Sequence, residues 1–352
     1  MSVLAFLQKP MEPAQVEKNK TDEGSSRPRS WSLSTVSTAT ESVISSCSSQ
    51  TCNKDFLINL DQYSMMKMYT PPCNTLRISD FKDISPFAEG TNAVLYKAKV
   101  DSKYIVIKMI KKTLCSDPVV IKEFELERSI LENADHPNIV RFLGSGHEPR
   151  RFVVLEYLNQ GTLGMLSNTQ ISFHDALQRG LGLASALNYL HYDCVPGVTV
   201  IHRDLKPDNI GLSDGVVKLF DFGLSISVKQ RQDSSETYQM TGCTGTLRYM
   251  APEVALGKPY TEKVDVYSFG ILLWQLATSR VPYRRATKSD FMECVVRDGY
   301  RPPMHPQWPP AFVSLLQGCW QADPSLRYSF REIVPMLEAM LTSCNSAPME
   351  PC

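Results

Sequence analysis

The 352 residues suffice for one large or two ordinary domains with a substantial buried core, and 43% hydrophobic content fits a soluble globular chain. Thirty-seven basic side chains balance thirty-seven acidic ones, so no general attraction to nucleic acid or an acidic membrane surface is expected. The ten cysteines form no Cys-x-x-Cys pair and no Cys/His zinc spacing, which points to reduced thiols in a reducing compartment.

The opening Met1 to Leu7 lacks a basic start and is soon followed by Lys9-Pro10, so it should stay attached and not act as a signal. No stretch approaches the roughly 20 apolar residues of a membrane span. Ser2 and the terminal Cys352 do not fit the common lipidation motifs. A cytoplasmic or nuclear protein without membrane insertion is expected. From Lys9 to Lys67 the chain is polar, and more than half of the residues between Ser30 and Thr51 are Ser or Thr. Such a stretch buries too little apolar surface to offset its ordering entropy, so residues 1–75 are expected to be disordered. Within them Arg27 and Arg29 stand three residues before Ser30 and Ser32, a spacing suited to a basic-directed kinase or an incidental pair in a solvated linker.

Order is expected from Leu76. The alternation through Ile78, Phe81 and Ile84 leads into Phe87-Ala-Glu-Gly-Thr-Asn-Ala-Val-Leu-Tyr-Lys-Ala98, which reads as strand, turn, strand. Ile105-Val-Ile-Lys108 is a buried-strand pattern ending in a lysine. Asp117-Pro118 then opens a helix with a capping residue and a proline in the first turn. That helix carries Glu123, Glu125 and Glu127, each a candidate partner for a cation. Phe152 to Leu158 is a further strand, and Ser172-x-x-Asp175 starts a helix whose stripe is Leu177, Leu181, Ala184, Leu187 and Leu190.

The helix delivers the chain to Val200-Ile-His-Arg-Asp-Leu-Lys-Pro-Asp-Asn-Ile210, which sets a base, two cations and an amide ligand within eight residues. Phosphoryl transfer asks a protein mainly for positioning and charge neutralisation, and this is equipment for it. Asp221-Phe222-Gly223 follows, then a polar stretch with Ser234, Ser235, Thr237, Tyr238, Thr241, Thr244 and Thr246, then Ala251-Pro252-Glu253. Val264 to Trp274 is apolar on nearly every face, the mark of a central buried helix. Cys319-Trp320, Asp323-Pro324-Ser-Leu-Arg327 and a helix after Ser329-x-x-Glu332 complete the ordered part.

In this order and spacing, these motifs resemble the eukaryotic-type protein kinases from about Leu76 to Leu341. Leu272-Leu-Trp274 and Cys319-Trp320 point to the tyrosine kinase-like group. The resemblance implies an α+β, bilobal fold: a small β-rich lobe over residues 76–158, a larger helical lobe over 159–342, and a flexible tail over 343–352. It implies ATP and Mg2+ as cofactors, a protein substrate and an upstream kinase acting on the activation segment. Asp204 would be the base, Lys206 the lysine that goes with serine/threonine specificity, and Lys108 the phosphate lysine paired with Glu127. Asn209 and Asp221 would hold metal. Arg203 would receive a phosphorylated loop, with Thr241 and then Ser235 the first candidates, while Thr246 would be structural. Asp265 would anchor the loop backbone and Arg327 would pair with Glu253.

The adenine site would be lined by Ala88, Gly90, Ala93, Leu95, Val106, Leu155, Glu156, Leu158 and Gly211. Two departures stand out. Only Gly90 survives of the family's three loop glycines, Ala88 and Ala93 replacing the others, which leaves a pseudokinase scaffold as the alternative. Val106 and Gly211 replace a small residue above the ring and a leucine below it. The ring would then sit lower against Val106 and Leu95, unless a neighbour such as Ile210 or Leu212 fills the gap.

Overall fold

The computed structural model describes residues 76–166, 169–231, 237–238 and 245–346. The Ser/Thr-rich segment 1–75, with Arg27, Arg29, Ser30 and Ser32, lies outside the described residues, as do Ser234, Ser235, Thr241 and Thr244.

Five antiparallel strands form the first sheet: β1 (Lys82–Glu89), β2 (Ala93–Val100), β3 (Lys103–Ile110), β4 (Phe142–Gly146) and β5 (Phe152–Glu156), in the order β1-β2-β3-β5-β4. Side chains alternate across a strand and directly opposed residues share a face, so the register assigns every side chain to one side. Leu95 is opposite Lys108, and Val106 is opposite Leu155. These four therefore face the same way. Leu95, Val106, Ile110, Val153 and Leu155 join the main core on that face. Ala98, Ile105, Ile107, Met109, Phe152 and Val154 form a second small core on the other. Leu76, Ile78 and Phe81 cover that second face, and the Leu76 N–H donates to the Ser145 carbonyl at 2.8 Å. This is why order is already established at Leu76.

Helix α1 (Pro118–Asn133) begins where the sequence places it, because the Asp117 carboxylate accepts from the Val119 and Val120 N–H groups. Val120, Phe124, Ile130 and Leu131 bury its inner face in the main core. The helical part follows, with α2 (Phe173–Tyr192), α3 (Lys263–Thr278), α4 (Pro310–Cys319) and α5 (Phe330–Ser346). Ser172 Oγ caps α2 by accepting from the Asp175 N–H at 3.0 Å. Every residue of α3 from Val264 to Leu276 is buried, which fits its apolar composition on all sides. Two small antiparallel pairs lie between α2 and α3 in the chain: β6 (Val198–Ile201) with β9 (Ile226–Lys229), and β7 (Ile210–Ser213) with β8 (Val216–Leu219).

One boundary is corrected. Residues 343–346, expected in a flexible tail, belong to α5, which continues to Ser346. The Thr342 and Ser343 hydroxyls bond back to the Glu338 and Ala339 carbonyls at 2.9 Å, which suits these residues to a last helical turn. Among the described residues, no helix is long and apolar enough to cross a membrane.

Candidate active site

The main-core face of the sheet meets β7 and the residues around it. Lys108 leaves β3 on that face, and its Nζ donates to both Glu127 carboxylate oxygens at 2.5 and 2.8 Å and to Asp221 Oδ1 at 3.1 Å. Burial alone would favour the neutral amine. The Asp221 and Glu127 carboxylates outweigh it and hold the Lys108 ammonium above its ordinary range. Asp221 is held below the usual carboxylate range despite its burial, chiefly by Lys108.

The choice among three glutamates on α1 is a matter of direction. Glu125 turns to Arg128 and Arg151 at 2.8 and 3.0 Å. Glu123 accepts from Asn92 Nδ2 at 3.3 Å. Only Glu127 faces Lys108. The β1–β2 turn is tied twice, since Asn92 also gives its carbonyl to the Lys111 N–H at 3.0 Å. Gly90 uses its own N–H inside the hairpin, donating to the Ala93 carbonyl at 2.8 Å. Sequence reasoning passed over Asn92 because asparagine in a turn is ordinary. Replacing Glu123 by alanine is expected to loosen this turn and, at the nucleotide site that the resemblance implies, to raise the ATP KM roughly three- to tenfold, the range of one hydrogen bond. Steady-state kinetics against ATP checks it, and an unchanged KM would mean that the tie does not position the turn.

The loop from His202 to Asn209 is held from below. The buried Asp265 carboxylate on α3 accepts from the His202 and Arg203 N–H groups, both at 2.8 Å, and contacts His191 Nε2 at 3.0 Å. Burial would raise the Asp265 carboxyl, but His191 and the loop donors outweigh it and keep it low. This support matters because Arg203 has φ +67°, which costs a non-glycine residue on the order of 1 to 3 kcal/mol. Burial pushes His202 below its ordinary range, which favours the neutral ring. Its Nδ1 accepts from the Asp204 N–H at 3.3 Å, which leaves the proton on Nε2, facing the Phe220 carbonyl at 3.4 Å.

Asp204 is approached from every side. Its Oδ1 accepts from the Thr246 N–H and hydroxyl at 2.9 and 2.8 Å, and its Oδ2 from Lys206 Nζ and Asn209 Nδ2 at 2.5 and 3.0 Å. Lys206 also reaches Thr246 Oγ1 at 3.1 Å. Gly245, with φ +103°, lets this strand of chain pass the loop, since a Cβ there would lie 2.5 Å from the Arg203 carbonyl oxygen. No signal in the sequence reading singled it out. Asn209 spends its amide hydrogens on the carbonyl and carboxylate of Asp204. Its Oδ1 is buried without a protein partner. An orphaned buried amide oxygen fits a cation ligand. Among the described residues, no group of three or more His, Cys, Asp or Glu side chains could hold a metal alone.

Arg203 Nε donates to the Leu224 carbonyl at 2.6 Å and its Nη1 to the Tyr260 hydroxyl at 3.1 Å. Tyr260 in turn exchanges backbone hydrogen bonds with Tyr238 at 3.0 and 3.2 Å, which ties the described piece of the polar stretch to the same arginine. Glu156, at the end of β5, uses its carboxylate on the Arg141 N–H and on Lys218 at 2.8 and 2.9 Å. Leu158 follows and is buried. Leu158 occupies the position that a Gly211 side chain would take, since a Cβ there would collide with Leu158 Cδ1.

A five-stranded sheet with one helix, set above a helical body and joined to it by a Lys-Glu-Asp charge cluster, defines the protein-kinase class of phosphotransferase folds. The comparisons agree: the family model for protein tyrosine and serine/threonine kinases matches residues 83–337, and the chain belongs to that family. It is 35% identical over 261 residues to the serine/threonine/tyrosine-protein kinase HT1 of Arabidopsis thaliana, covering 72% of this chain and 64% of that protein. It is 35% identical over 272 residues to the serine/threonine-protein kinase VIK of the same plant, with 74% and 60% covered. The dual specificity protein kinase shkE of Dictyostelium discoideum is 32% identical over 259 residues, with 72% and 35% covered. The chain thus spans less than two thirds of these relatives.

Proposed function

We propose that this chain is an active protein serine/threonine kinase that transfers the γ-phosphate of ATP to protein hydroxyl groups. The observation that carries the reading is the Asp204, Lys206 and Thr246 cluster, in which a lysine two residues past the base bonds both the carboxylate and a hydroxyl. In this reading Asp204 takes the proton of the attacking hydroxyl and Lys206 steadies the transferring phosphate. Lys108, kept charged by its two carboxylates, orients the remaining phosphates. Asn209 Oδ1 and Asp221 would hold Mg2+, which when bound neutralises charge on the phosphate oxygens. The backbone of Glu156 and Leu158 would hold adenine.

The pseudokinase alternative rests on Ala88 and Ala93 in the loop, and on the Gly90 N–H being spent inside the hairpin. Transfer of labelled γ-phosphate to a peptide array separates the two readings. The expected result is label on Ser and Thr peptides, dependent on Mg2+. Label on Tyr as well would make the enzyme dual-specific, and binding of ATP without transfer would favour the scaffold.

We also infer control by phosphorylation between Ser234 and Thr244, with Thr241 first and Ser235 second. Support comes from Arg203, whose guanidinium is bonded to the Leu224 carbonyl just before β9 and to Tyr260, the backbone partner of Tyr238. Mass spectrometry of active protein is expected to find phosphate there. Full activity after removing every hydroxyl from Ser234 to Thr244 would dismiss the idea. The sequence further supports a regulatory role for residues 1 to about 67 and a location in the cytoplasm or nucleus, with an upstream kinase and protein substrates as partners.

A further inference from the structure

We propose that Leu158 is the floor of the purine site in this chain, and that Gly211 lacks a side chain because Leu158 lies on it. The proposal rests on the nucleotide reading above and names the residue that sets which purines the site takes. A Cβ built on Gly211 would collide with Leu158 Cδ1, and Leu158 Cγ and Cβ would be only 3.3 and 3.4 Å away. Gly211 has no positive φ, so conformational freedom is not its reason. Close approach is.

The opposite wall follows from register. Val106 shares the face of β3 that carries Lys108, with Leu95 and Leu155 opposite these residues on the neighbouring strands. Gly211 lies two residues past Asn209, whose buried amide oxygen has no protein partner. On this proposal the purine lies with Val106 and Leu95 above and Leu158 below.

The backbone around Leu158 cannot easily withdraw. Three hydrogen bonds lace the segment after it to β7: Gln160 N–H to the Leu212 carbonyl at 3.1 Å, Leu212 N–H to Gly161 at 2.9 Å, and Leu163 N–H to Ile210 at 2.9 Å. A side chain at 211 is then accommodated by turning the Leu158 side chain away from β7. The slot is the space beside it. The floor residue and the glycine thus form one unit, in which a leucine can be held by either partner but not by both.

The test is a mutant cycle read by ATP affinity, by the KM and kcat of transfer, and by melting temperature. Parent ATP binding is measured first by titration. Gly211→Leu is expected to weaken ATP roughly ten- to hundredfold, and Leu158→Ala alone roughly tenfold, the range for a buried apolar contact. The double variant Leu158→Ala with Gly211→Leu is expected to return to within a few-fold of the parent, because its floor is rebuilt from the other side. If Gly211→Leu does not fold, Gly211→Ala, alone and with Leu158→Ala, gives the same comparison. Additive losses, or a fall in melting temperature with ATP KM unchanged, would overturn the proposal and leave Leu158 as packing. Absence of ATP binding by the parent would instead overturn the nucleotide reading, and this proposal with it.

Discussion

Asp204→Asn is expected to lower the rate of phosphoryl transfer about a hundred- to ten-thousand-fold, the span attributed to a positioned general base. The substitution keeps size and removes the one group able to accept a proton at that point. It also reverses a hydrogen-bond polarity. Asp204 Oδ2 accepts from both the Lys206 ammonium and the Asn209 amide, and Oδ1 from two donors of Thr246. An amide NH2 on either side would face donors, so some loss of stability accompanies the loss of rate. Single-turnover transfer measured beside the melting temperature separates the two effects. A rate within threefold of the parent, in folded protein, would mean that another group takes the proton.

Arg327→Ala is expected to destabilise the fold by roughly 3 to 5 kcal/mol, the cost of stranding one member of a buried ion pair. Arg327 and Glu253 are both buried, at 2% and 7% exposure, and are joined by two bonds of 2.6 and 2.9 Å. The guanidinium also donates to the Gln321 and Lys263 carbonyls at 2.9 and 3.1 Å, and Lys263 Nζ returns a bond to the Arg327 carbonyl at 2.6 Å. Its removal leaves a buried carboxylate and two carbonyls without their cation. For a domain of this size the melting temperature should fall by about 10 °C. Replacing both Arg327 and Glu253 by apolar residues should cost less than Arg327→Ala alone, because no charge is then left unpaired. A drop of only a degree or two for the single variant would show that water reaches the site.

Glu253 directly follows Pro252 in the short helical turn Pro252–Ala255, so this pair also fixes the end of the polar stretch that brings Thr246 and Gly245 to Asp204. Stability and geometry of the site are coupled through it. The pair should consequently affect kcat as well as melting temperature.

Much of this protein was determined by local sequence. The strand pattern before Lys108, the Asp117-Pro118 helix start and the apolar run from Val264 to Trp274 each act through the period of their own backbone, and the structure reproduces them. The resemblance carried by the order of the motifs placed Lys108, Glu127, Asp204, Asn209 and Asp221 in one neighbourhood. Which glutamate of α1 meets the lysine could only be argued by spacing. The tertiary structure decides it, through the direction in which each side chain leaves the helix: Glu123 to Asn92, Glu125 to the arginines, Glu127 to Lys108. Gly211 is a sharper case. Gly211 reads as a gap along the chain, and Leu158, more than fifty residues earlier, fills it by close approach of two segments that no local pattern connects. The same holds for Arg203, whose left-handed backbone is kept by a carboxylate on α3. Sequence periodicity fixes which face a residue takes on its own element; which distant group occupies the space opposite is settled only when the elements pack.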